Sequence, residues 1–145
     1  MCKLFIGADA ALWQSSTRSV RIERLATSVR LETFFWDILA DIARRDGLTL
    51  GQILTRFYNE SRQEGHDLDN FASFLRVCCA RFLTLQLSGD IPRSASAAIG
   101  DLDAEDILSR ERQRAGRRAS GKNRPAPAKN SPAAPNNAIA QAVSH

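Results

Sequence analysis

The chain is poor in the side chains on which most catalysis and metal binding rest, with three cysteines and two histidines among 145 residues. Cys2, Cys78 and Cys79 are odd in number and two are adjacent, which excludes a disulfide framework and fits reduced, cytoplasmic thiols. The Cys78-Cys79 pair lacks zinc-ligand spacing, and Cys2 has no partner that would make it a nucleophile. His66 precedes Asp67 in what reads as a turn, and His145 stands alone. There is no glycine-rich phosphate loop and no pair of carboxylates in a cleft pattern. No enzyme, metal or cofactor is therefore expected. No apolar run reaches membrane-spanning length, and the N-terminus lacks the residue order of a signal peptide. A soluble cytoplasmic protein without a membrane partner is the expectation.

Charge of one sign is scarce only from residue 110 onward. Residues 1–109 hold 12 basic against 15 acidic residues, whereas residues 110–145 hold 8 against 1. Within the first part, one basic island stands out: Arg18, Arg21, Arg24 and Arg30 against Glu23. Such an island and a basic tail suit a search for phosphate. Nearly all large apolar residues precede Ile91, giving one small domain for which a homodimer is expected.

What the chain does have is a near-repeat. Ser19-Val20-Arg21-Ile22-Glu23 recurs nine residues later as Ser28-Val29-Arg30-Leu31-Glu32. Both runs alternate polar and apolar residues, the period of a half-buried strand. The residues between them include neither Gly nor Asn, which is poor chemistry for a tight hairpin. The first run therefore reads as a strand extension rather than a hairpin partner. Helical spacing of Phe35, Ile38, Leu39 and Ile42 predicts a helix over 33–46, capped by Thr33 and ended by Gly47. Leu50, Ile53, Leu54, Phe57 and Tyr58 predict a second over 50–64, capped by Thr49. A third, over 70–87, starts at Asp69 or Asn70 and is apolar enough to be mostly buried. Residues 1–17 form an arm whose Leu4-Phe5-Ile6 clip should pack on the domain, residues 88–100 a linker, and residues 101–114 a short exposed helix. Residues 115–145 are a basic tail too polar to order itself.

Several of these runs resemble those of one family. Met1-Cys2, Thr17-Arg18-Ser19-Val20-Arg21, the TSVRLE run over 27–32, Phe35-Trp36 and the NFASFLR run over 70–76 resemble a subgroup of bacterial ribbon-helix-helix domain proteins, the Arc/MetJ-like DNA-binding fold. The likeness covers about residues 1–87. It implies a mainly α fold with one short β-ribbon strand, an intertwined dimer in which one strand from each subunit pairs antiparallel, and an extra C-terminal helix. It also implies a ribbon in the major groove, alternate strand residues on base edges, and the second helix's N-terminus on a phosphate.

Carried onto this sequence, Val29 and Leu31 face the core, so Arg30, Ser28 and Ala26 face bases. Arg30 suits a bidentate pair with guanine, Ser28 selects less, and Ala26 reaches only a thymine methyl. Thr49, Leu50 and Gly51 suit a phosphate, with Arg18, Arg21 and Arg24 adding further phosphate contacts. The expected function is a DNA-binding transcriptional regulator with double-stranded DNA as its partner. An antitoxin-like or adaptor protein, using the C-terminal region to hold a protein partner, is the alternative. The acidic balance of residues 31–109, 7 basic against 13 acidic, favours a third class, an interaction domain without DNA binding.

Overall fold

The computed structural model describes residues 2–22, 25–66, 69–95 and 97–121. The chain divides into two compact units, Met1–Ile107 and Leu108–His145. The first contains everything that follows except most of the last helix.

Two alternating runs become two strands, β1 (Ser15–Ile22) and β2 (Leu25–Glu32). They pair antiparallel within one chain, with Ser19 opposite Ser28 and Ile22 opposite Leu25. This corrects the expectation of a single strand with an extension: the first run is the hairpin partner. Glu23 and Arg24, the two residues between the strands, lie outside the described residues. Burial, not turn chemistry, decides the pairing. Val20, Ile22, Val29 and Leu31 share one face and are 6%, 4%, 3% and 0% exposed. A slip of one residue would turn the pair on the slipped strand to solvent. Each buried side chain of this size stabilises by about 1.5–3 kcal/mol, which outweighs a turn preference.

Three helices seal that face: α2 (Thr33–Arg45), α3 (Leu50–Gln63) and α4 (Phe71–Leu87), preceded by a one-turn α1 (Cys2–Ile6). On α2 the expected stripe is inward, joined by Trp36 and Ala43. The indole of Trp36 is 1% exposed, and its Nε1 donates to the Ser16 carbonyl at 3.1 Å. Thr33 does not cap α2 as expected. Glu32 holds the cap position, while the Thr33 amide and hydroxyl both donate to the Gln14 carbonyl, at 2.9 and 3.0 Å. Tertiary pairing with the preceding segment has taken the hydroxyl. Gly47 ends the helix at φ +64°, a conformation costly for other residues.

Thr49 does cap α3, and reciprocally: its hydroxyl accepts from the Gln52 amide while the Gln52 side chain accepts from the Thr49 amide at 2.7 Å. Asn70 caps α4 by accepting from Ser73. α4 is less enclosed than expected. Phe71, Leu75, Cys79 and Phe82 are buried, but Val77, Leu83 and Leu87 are exposed. Burial pushes the Cys78 thiol up to about 11 and that of Cys79 up to about 12, so both stay protonated and unreactive at neutral pH.

Three peripheral expectations need correction. The apolar clip of α1 does not pack on the domain, since Leu4, Phe5 and Ile6 are 80%, 68% and 70% exposed. The segment expected as a loose linker is tied down. Arg45 donates to the carbonyls of Pro92 and Arg93 at 2.7 and 2.8 Å, Asp46 accepts from the Ile99 amide at 2.5 Å, and Ile91 is buried. Its Gly, Pro and Ser content hid the two anchors that the end of α2 supplies. The last helix, α5 (Ala104–Gly121), runs past Arg114, because Gly116 alone does not break a run of good helix formers. The rest of the expected disordered tail lies outside the described residues. Among the described residues no helix is long and apolar enough to cross a membrane, and no group of His, Cys, Asp and Glu could hold a metal ion.

Candidate nucleic-acid interface

With the helices beneath one face of the hairpin, the other face is left open. Register and alternation place Thr17, Ser19 and Arg21 of β1 there, level with Arg30, Ser28 and Ala26 of β2. Of these, Thr17, Ser19, Arg21, Ser28 and Arg30 are polar, and the base-reading set expected from sequence lies together on the outer face. Arg21, expected on a phosphate, shares that face. Arg18 is on the opposite side of its strand, in line with Val20 and Ile22. Its guanidinium packs over the Trp36 ring, 4.9 Å from the centroid, and stays solvent-exposed.

Beside the ribbon, α3 packs against β1, with the Thr55 hydroxyl donating to the Arg21 carbonyl at 3.1 Å. The junction is an open cleft of about 770 Å³ lined by Arg18, Arg21, Thr49, Leu50, Gly51 and Arg56, among others. Every described residue expected on a phosphate meets here; Arg24 lies outside the described residues. The capping box occupies the amides of Thr49 and Gln52, which leaves those of Leu50 and Gly51 without an intrahelical acceptor. Thr49 itself is spent on its cap, so the backbone amides, not the hydroxyl, are the donors on offer. Both point from the positive end of a helix dipole. Glu60 also lines the cleft, and it lies farther along α3 than the amides. Arg56 was not foreseen. It falls one turn after Gln52, a period that would have placed it on the cap's face. It lies 3.9 Å from Asp46 and remains about half exposed.

The far end of β2 is fixed differently. Glu32 takes a bidentate pair from Arg76 of α4, at 2.9 and 3.1 Å. The Arg76 hydrogen bond lowers the Glu32 carboxyl below its ordinary value. A lowered folded-state value means stability that is full above the unfolded value, about 4.3, and is lost as pH falls through the folded one. Glu32→Gln should therefore lower the melting temperature at pH 7. The gap to wild type should close on acidification, as thermal melts across pH would record. A gap constant down to strong acid would deny the pair this role.

Comparison with known proteins places these elements. Residues 15–83 match the family model "Ribbon-helix-helix domain". The structure is similar to that of an uncharacterized protein from Bordetella pertussis Tohama I, with a TM-score of 0.71 and 39% sequence identity. That match covers 94% of this chain and 98% of the other. Among curated proteins, none matches.

Proposed function

We propose, because the chain belongs to the ribbon-helix-helix domain family, that it is a cytoplasmic DNA-binding regulator of transcription whose hairpin enters the major groove. The outer face of the ribbon carries the reading. It is polar, cationic and uncovered, while the reverse face is sealed by Val20, Ile22, Val29 and Leu31. Arg30 pairs with a guanine edge; Ser28 and Ala26 contact neighbouring positions. The amides of Leu50 and Gly51, together with Arg18, hold a phosphate beside the groove. The acidic balance of the domain is no obstacle, because residues 15–22 carry Arg18 and Arg21 and no acid.

Self-association, which a small core favours, belongs to this reading, with the DNA held by a homodimer. Apolar residues in α5 are confined to Ile107 and Leu108 apart from alanines, too few to favour a protein partner for the C-terminal region.

Titration of labelled random duplex across a salt series tests the proposal. Log affinity should fall linearly with log salt, by about 0.9 per phosphate neutralised. Arg30→Ala should cost about 1–3 kcal/mol on the best selected site with an unchanged melting temperature. Absent binding, or affinity indifferent to salt, would overturn it.

A further inference from the structure

A second cavity, of about 300 Å³, lies among α2, α3 and α4. Its walls are mostly apolar, with Ile42, Ile53, Phe57, Phe82, Leu85 and Ile91 facing the space. The segment that carries Ile91 and Ile99 forms one side. That side is held in place, because Arg45 and Asp46 anchor the segment to the end of α2. None of these walls has a part in holding DNA. A preformed apolar space of this size, edged by a few charged groups, is the usual make-up of a site for a small organic molecule.

The charged groups at its edge are Asp46, Arg56, Glu60 and Arg81. Asp46 is part of the wall: its Oδ1 accepts from the Ile99 and Gly100 amides, at 2.5 and 3.3 Å. Arg56 stands 3.9 Å from the other Asp46 oxygen, longer than a hydrogen bond, and is about half exposed. Its planar fork therefore keeps donors for a carboxylate. Because Asp46 is satisfied by the two amides, an incoming acid meets two guanidinium groups against the one carboxylate of Glu60. Arg56 also lines the cleft beside the ribbon, so one cation borders both spaces.

We propose that this cavity is an effector site for a small apolar carboxylic acid, whose carboxylate takes the Arg56 guanidinium. Resting on the DNA-binding function proposed above, the bound acid withdraws a cation from the cleft where the DNA phosphate sits. The acid then binds the DNA-free chain better than the DNA-bound one, and DNA is loosened by that difference.

Calorimetric titration of the full chain with phenylacetate tests this, with phenylacetamide as the neutral analogue and phenethylamine as the cationic one. Phenylacetate should bind saturably, and the amide about tenfold more weakly, since it lacks the charge-assisted pair. Arg56→Gln should bring acid and amide to similar affinity. Cys78→Met, which lengthens a wall residue into the space, should weaken both and leave random-duplex affinity as it is. At saturating phenylacetate, the slope of log duplex affinity against log salt should shrink by about 0.9 per chain bound, one phosphate contact. Arg56→Gln should show the smaller slope with or without the acid. No saturable binding, equal affinity for the amide or the amine, or a salt slope that phenylacetate leaves unaltered would overturn the inference. No duplex affinity at all would strike the DNA-binding function instead, while the titrations with acid and amide still decide the cavity.

Discussion

Trp36→Ala is expected to leave the domain only marginally stable, at a cost of about 3–5 kcal/mol against a total that for small domains starts near 5. Three losses coincide at this residue. The indole is 1% exposed, so its removal opens a cavity between α2 and the hairpin. Its Nε1 is the donor to the Ser16 carbonyl, which pins the start of β1 to α2. Its ring also seats Arg18 at the mouth of the cleft. Trp36→Phe separates these contributions. It keeps most of the volume but drops the donor, and should cost about 0.5–1.5 kcal/mol. Urea unfolding followed by circular dichroism gives both values. Hydrogen exchange on Trp36→Phe should lose protection over residues 15–22 before the helices. A Trp36→Ala loss below about 1 kcal/mol would mean that the hairpin holds to α2 without this residue.

Much of this arrangement is readable in the sequence because it is local. Helices α2, α3 and α4 announce themselves by period and caps, and Thr49 with Gln52 forms a complete capping box within four residues. The inward direction of Val29 and Leu31 follows from alternation alone, and so does the outward set Ala26, Ser28 and Arg30. The rest depends on partners distant in sequence. Nothing near Glu23 favours a turn, yet β1 folds back because Val20 and Ile22 complete the face that Val29 and Leu31 begin. Thr33 looks like a cap until the Gln14 carbonyl claims its hydroxyl. Residues 88–100 look loose until Arg45 and Asp46 hold them. Arg21 is ambiguous as an isolated cation, and only the register sets it on the outer face that Arg30 shares. The repeat is plain in the sequence; its meaning requires the pairing.

Gly51→Asp should move stability and DNA affinity in opposite directions, which separates the role of α3's N-terminus in folding from its role on DNA. Gly51 is the second residue of α3 and is exposed, and a Cβ placed there meets nothing within 4 Å. Replacing glycine with alanine removes a helix penalty of about 0.5–1 kcal/mol, and replacing it with aspartate removes about 0.3 kcal/mol of that. A carboxylate in the first turn adds about 0.3–1 kcal/mol from the dipole. The variant should therefore melt higher than wild type. The same negative charge faces the amides of Leu50 and Gly51, where the phosphate is proposed to sit, with Arg18 and Arg56 lining the same cleft. It should weaken duplex binding about tenfold or more at low salt, for specific and random sequences alike, with the loss shrinking as salt rises. Gly51→Ala isolates the steric part: it should stabilise similarly, and any affinity it loses measures how closely the DNA backbone approaches. If Gly51→Asp melts higher and still binds as wild type does, no phosphate lies on α3. The ribbon would then hold DNA through its own arginines alone.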